Sequence, residues 1–246
     1  MTNNKFPQLL QEKMETDIVN GNFAKGQIVH FVDLQNRYQA NSEDLKWVIK
    51  SAVRKGLLHP DLTEEQFSVL GKSRATVISV FQHAAKSGLT PRSIVRAVII
   101  ISANELVAQK LHLKKGELVY QQTRTRVIDD QVVANQNNYI PIEVCPGLES
   151  VDLARTSFQT TLEGKFNAVV AKIEENFAIR PGNAEDVEIL GVEQGADVLI
   201  VERLSLSPGG FPLVWADIHV RIDRYQYVKE LWPEAGAIVD QNRGSK

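Results

Sequence analysis

The stretch LVYQQTRTRVIDDQVVANQNNYIP, residues 118–141, decides the architecture. Two runs rich in β-branched and aromatic residues, 118–128 and 132–140, flank Asp129 and Asp130, and acidic residues of this kind accept the tight turn of a hairpin. Pro141 has no backbone N–H to offer and closes the pairing. A second hairpin is expected from 198–207, through Pro208, Gly209 and Gly210, back along 212–222. Between the two, spacing predicts a helix near 157–166, a strand near 169–177 and a short helix near 184–190. Antiparallel hairpins mixed with short helices read as α+β, and a doubly wound parallel sheet does not fit.

Working outward toward the N-terminus, residues 93–101 are rich in β-branched types and predict a strand. Ser102 and Glu105 stand at capping-box spacing before Leu106, Val107 and Leu111, which predicts a helix. Val77, Val80, Phe81 and Ala84 have helical spacing that ends at Gly88. The boundary between two units is placed near Gly71, because 59–74 carries few large apolar residues and three acids, Asp61, Glu64 and Glu65.

Ahead of that boundary, Phe6, Leu10, Met14 and Ile18 fall four apart, an amphipathic helix that Gly21 ends. A shorter helix is expected over 32–38. Asn41 or Ser42 then caps a third helix with Glu43 and Asp44 in its first turn, Leu45, Val48, Ile49 and Ala52 as its apolar face and Gly56 as its stop. Three short helices followed by Leu57, Leu58 and Val69 as wing strands outline a winged helix-turn-helix. The expected organisation is residues 1–72 as that head, 73–235 as a larger α+β domain and 236–246 as a tail.

A formal net charge of -2 leaves no global basic excess, so any contact with nucleic acid has to come from a local patch. The single cysteine, Cys145, excludes an internal disulfide and a multi-thiolate metal site. No basic start followed by an apolar run reads as a signal peptide, and the longest apolar run, near 97–101, is far short of a membrane span. The expectation is a cytoplasmic protein that needs no membrane, no metal and no cofactor.

The segment from about 79 to 232 resembles the UTRA domain, the ligand-sensing half of the HutC subfamily of GntR regulators. The landmarks that carry the likeness stand in order: SGLTP at 87–91, LHLKKGELVY at 111–120, RTRVIDDQVVANQNNYIP at 124–141, PGLESVDL at 146–153, TSFQTTLE at 156–163 and RIDRY at 221–225. The resemblance implies a chorismate-lyase-like antiparallel sheet with helices, a small and often anionic effector, and a homodimer.

It also implies an effector site. An Arg-x-Arg pair on the first hairpin and a serine at the start of the following helix correspond to Arg124, Arg126 and Ser157. Guanidinium groups suit that role through bidentate, charge-assisted bonds to phosphate or carboxylate. The alternative is that Arg124 and Arg126 are strand residues paired with neighbouring acids. The family's tyrosine two places after the serine is Gln159 here, its hairpin glutamate is Gln136, and the Glu and Tyr positions of the final hairpin are Val214 and Val220. Those departures argue against an amino-sugar phosphate and for a carboxylated or less hydroxylated metabolite. Trp215 and His219 are either further lining residues or core.

The same likeness sets YQANSEDLKWVIKSAVRKGLL, 38–58, over a recognition helix and wing entry, which makes Ser42, Lys46, Lys50 and Arg54 the candidates for DNA contact. The match is incomplete: Ser42 stands where an arginine is typical, and the wing is acidic where it is usually basic. Residues 1–72 hold nine basic and nine acidic side chains, a neutral head, whereas phosphate neutralisation supplies most affinity for DNA. Three functions follow for comparison: a ligand-responsive DNA-binding transcriptional regulator, a regulator that has lost operator binding and works through a protein partner, and an enzyme on the chorismate-lyase fold. For the enzyme there is no P-loop, no dinucleotide fingerprint and no metal-spaced histidine pattern.

Overall fold

The computed structural model describes residues 5–71, 90–153 and 158–224. Helix α1 (Lys5–Val19) leads into strand β1 (Ile28–His30), helices α2 (Phe31–Tyr38) and α3 (Ser42–Arg54), and strands β2 (Leu58–Pro60) and β3 (Gln66–Val69). The three strands pair antiparallel in the order β1-β3-β2, the wing expected from sequence with one strand more. β1 escaped the reading because three residues, with only Val29 buried, leave no alternation to see. Asn41 is the cap of α3: its side chain accepts from the Asp44 N–H, 2.9 Å away. Leu10, Met14 and Ile18 of α1 meet Leu45, Val48, Ile49 and Ala52 of α3 in one core with Leu34, Tyr38, Phe67 and Val69.

The remaining described elements build a single six-stranded antiparallel sheet in the order β4-β5-β6-β9-β8-β7. Its strands are β4 (Pro91–Ser102), β5 (Leu118–Ile128), β6 (Gln131–Pro141), β7 (Lys172–Pro181), β8 (Asp197–Leu206) and β9 (Pro212–Arg221). Asp129 and Asp130 both take left-handed backbone, φ 48° and 61°, as the two-residue hairpin turn requires. β4 continues through Ser102, so the cap of helix α4 (Glu105–Leu111) falls to Asn104, whose side chain accepts from the Val107 N–H. The capping box read at Ser102 is thereby corrected: a residue still paired in a ladder, opposite Leu118, does not cap.

Period-two alternation divides the sheet into two faces. Helix α4 and helix α6 (Ala184–Leu190) cover one, over Val119, Tyr139, Trp215, Val198 and Ile200. Helix α5 (Phe158–Phe166) covers part of the other, burying Leu162 and Phe166 against Tyr120, Ile140 and Val214. The strand expected from 169 begins at Lys172, because Ala168, Val169 and Val170 are buried core that precedes the ladder. The helix expected at 77–88 and the tail at 236–246 lie outside the described residues.

Candidate functional site

The hairpin's register decides which side chains meet. Arg124 stands opposite Gln136 and Gln136 opposite Ile218, while Gln122 stands opposite Asn138. Arg124, Arg126, Gln122, Gln136 and Asn138 therefore share the face that carries α5. Trp215 pairs with Tyr139 and His219 with Asn135, on the opposite face. Strand parity sets both apart from the Arg124 face: Trp215 stacks on Tyr139 at 5.1 Å, and His219 Nδ1 bonds Asp186.

The α5 face holds a directed chain of hydrogen bonds. Arg126 Nε donates to Gln136 Oε1 (3.0 Å), Gln136 Nε2 to Asn138 Oδ1 (2.6 Å), and Asn138 Nδ2 to Gln122 Oε1 (3.0 Å). Arg126 is held further by a bond to Ser93 Oγ. The chain ends in Gln122 Nε2, a buried donor with no partner among the described residues. Beside it, Arg124 is 2% exposed, and its guanidinium lies 4.9 Å from the Phe158 ring at the start of α5. Its Nε and Nη2 likewise have no partner.

Three orphaned nitrogens thus sit on neighbouring positions of one strand face, and all three are donors. Buried polar groups are ordinarily satisfied, and an unmade bond costs about 1–3 kcal/mol, more for a charged group. Electrostatics agree with the hydrogen-bond count. Burial pushes the Arg124 guanidinium down to about 10. Arg126 is depressed by burial and then by the positive charges of Arg124 and Arg203. Glu175 neutralises Arg203, accepting from its Nε at 2.6 Å. The arrangement is one that an acceptor-rich, negatively charged group completes.

The sequence candidates fall in different places. Arg124, Arg126 and Gln136 are brought together. Gln159 lies on α5, where its Nε2 donates to Glu163 Oε1 at 3.0 Å, and Ser157 lies outside the described residues. Gln122, Asn138, Arg203 and Phe158 were not singled out. Stepping by two from Arg124 and from Gln136 reaches Gln122 and Asn138; nothing local points to Arg203, which arrives from β8. Of the DNA candidates, Ser42 and Lys46 are exposed, with Ser42 Oγ accepting from Gln35 Nε2. Lys50 is 45% exposed by its side chain, and Arg54 is 6% exposed, turned onto the larger domain. Among the described residues no group of three or more His, Cys, Asp or Glu side chains is placed to hold a metal ion.

Residues 86–226 match the UTRA domain family. The chain belongs to it. The UTRA likeness read from the six landmarks holds, as does the α+β sheet with helices. In sequence, the chain is 22% identical over 227 residues to the HTH-type transcriptional repressor NagR of Bacillus subtilis, covering 89% of this chain and 91% of that one. A 162-residue match to the HTH-type transcriptional regulator Rv0792c of Mycobacterium tuberculosis is 26% identical and covers 63% and 59%. In structure, PhnF from Mycobacterium smegmatis superposes with a TM-score of 0.56 at 16% identity, over 87% of this chain and 95% of that one. YydK from Bacillus subtilis, a possible transcriptional regulator, gives 0.54 at 17% identity over 89% and 95%. These two likenesses span the head as well as the sheet. No described helix is long and apolar enough to cross a membrane.

Proposed function

We propose that this UTRA protein is a transcriptional regulator whose sheet domain senses a small anionic metabolite, a phosphate or carboxylate, and whose head contacts DNA. The observation that carries the effector reading is the set of buried donors, Gln122 Nε2 with Arg124 Nε and Nη2, that have no hydrogen-bond partner among the described residues. A ligand oxygen accepts from two guanidinium nitrogens in the fork geometry arginine offers. Arg126 and Gln136 orient the corner, and Gln159 stands in the first turn of the helix that covers this face. The apolar Val214 and Val220 share this sheet face, which favours a compact ligand with few hydroxyls. The named relatives are regulators, and a sensing role needs no catalytic group.

The homodimer implied by the family fits β4, an edge strand with Ile94, Ile99 and Ile100 exposed at 44%, 50% and 47%. A thermal-shift screen of small phosphates and carboxylates tests the effector site. The stabilising hits raise the melting temperature of the wild type and lose their effect in Arg124→Ala and Arg126→Ala. Hits that survive both substitutions overturn the site. For the head, titration of random-sequence duplex at low salt is expected to show binding that weakens steeply with salt. The second reading, a regulator acting through a protein partner, is favoured by the neutral head and by the burial of Arg54.

A further inference from the structure

The end of the large sheet nearest the head presents carboxylates to helix α3. Lys50 Nζ lies 3.1 Å from Glu117 Oε2 and 3.3 Å from Glu143 Oε1. One turn on, Arg54 Nε stands 3.3 Å from the same Glu143 oxygen, an ion contact without hydrogen-bond alignment. Arg54 Nη1 donates to the carbonyls of Leu111 (3.0 Å) and Pro212 (2.8 Å). Ser51 Oγ donates to the Glu143 carbonyl at 2.7 Å, and Gln11 Nε2 from α1 reaches that same oxygen at 3.2 Å. Beneath them Glu15 accepts from Lys55 Nζ at 2.7 Å and from Asn167 Nδ2 at 3.3 Å. Backbones approach closely as well: a Cβ on Gly56 would lie 2.9 Å from Gly209 N.

Lys46, Lys50 and Arg54 are spaced four apart on one helix face, the basic stripe that a recognition helix turns toward a groove. Here the first is exposed, the second is paired with two acids and the third is out of water. A duplex reaching the last turn of α3 would therefore compete with the larger domain for Lys50 and Arg54. The ligands of Lys50 and Arg54 are carboxylate and carbonyl oxygens, the same chemistry that DNA phosphates offer. Glu117 precedes β5 directly, and Glu143 lies two residues beyond the end of β6. Those are the strands that carry Gln122, Arg124, Gln136 and Asn138, so the acids are extensions of the anion site's own scaffold.

We propose that Glu117 and Glu143 form an intramolecular phosphate-mimicking receptor that captures α3, making this arrangement the DNA-incompetent form. Release of the two carboxylates returns Lys50 and Arg54 to solvent and to nucleic acid. The inference rests on the reading of the head as a DNA-binding unit and is independent of which anion the sheet binds.

Two measurements on the full chain test it. Carbodiimide coupling of the wild-type protein, followed by peptide mass mapping, is expected to join Lys50 to Glu117 or Glu143, and the coupled protein is expected not to bind duplex. The charge-removed variant Glu117→Gln/Glu143→Gln is then titrated with random-sequence duplex at low salt by fluorescence anisotropy. Its affinity is expected to exceed that of the wild type by about tenfold or more, since apparent affinity scales with the binding-competent fraction. Absence of the cross-link overturns the docked arrangement. Equal or weaker duplex binding by a folded double variant overturns the masking role. If the double variant does not fold, duplex binding by the coupled wild type overturns the masking role and loss of binding supports it. An anion screen without hits leaves both outcomes standing, so failure of the effector site and failure of this capture are told apart.

Discussion

Replacing Arg124 with methionine is expected to stabilise the ligand-free protein while abolishing its response to anions. The guanidinium is 2% exposed and leaves two N–H-bearing nitrogens without partners. Each unmade buried bond costs about 1–3 kcal/mol, so the site carries roughly 2–6 kcal/mol of unfavourable free energy. The ring of Phe158 at 4.9 Å offsets about 1–2 kcal/mol of that through its π face. Methionine keeps much of the stem volume and adapts to the gap, so the net gain is about 2 kcal/mol. For a domain of this size that raises the melting temperature by about 4–8 °C. The assay is thermal unfolding in a buffer free of phosphate and carboxylate, repeated with the anions that stabilise the wild type. Destabilisation by more than about 1 kcal/mol in the anion-free buffer, a loss typical of a satisfied side chain, would refute the reasoning. So would a wild-type-like anion response. Binding sites commonly hold strain of this kind, which is why their residues trade stability for function.

Three more outcomes follow from the packing. Arg54→Ala leaves Glu143, 7% exposed by its side chain, short of its closest buried cation. The loss is expected to be about 3 kcal/mol, read in urea unfolding, and a loss under about 0.5 kcal/mol would mean the contact contributes little. At His219 burial opposes protonation, but bonds to Asp217 and Asp186 outweigh it and raise the pKa above the ordinary 6.5. Asp186 is likewise disfavoured by burial yet held below its ordinary value by the Asn183 N–H, His219 and Arg180. A raised histidine stabilises fully below its unfolded pKa and loses this as pH climbs through the folded one. The stability difference between wild type and His219→Gln is therefore expected to shrink as pH climbs from below the ordinary histidine value through the raised folded one; a difference that grows contradicts the pairing. Cys145 is fully buried, and burial pushes its thiol well up, so it should react with thiol reagents only on unfolding. Rapid labelling of the native chain would show that region open.

The sheet was legible because its signals are local. Asp129 and Asp130 mark a turn by their chemistry, and the strands on either side announce themselves by composition. The candidate corner was half legible: Arg124, Arg126 and Gln136 came from the family likeness, and alternation places them on one face. Trp215 and His219 were not assignable without the register, since the face a strand residue takes depends on its partner strand. Arg203 reaches the site from a strand about 80 residues away in sequence, a separation no local pattern records. The spacing of Lys46, Lys50 and Arg54 puts them on one face of α3, and that spacing does not tell which of them meets solvent. The partners of that face, Glu117 and Glu143, belong to the larger domain, and interdomain contacts leave no periodicity in either segment.

The most direct test of the account is the identity of the small molecule that stays with the protein through purification, read by native mass spectrometry and then by mass analysis of the released ligand. An anion, carboxylate or phosphate, that is retained by the wild type and lost from Arg124→Ala is the predicted result. A neutral or cationic ligand, or an anion retained equally by Arg124→Ala, would contradict it.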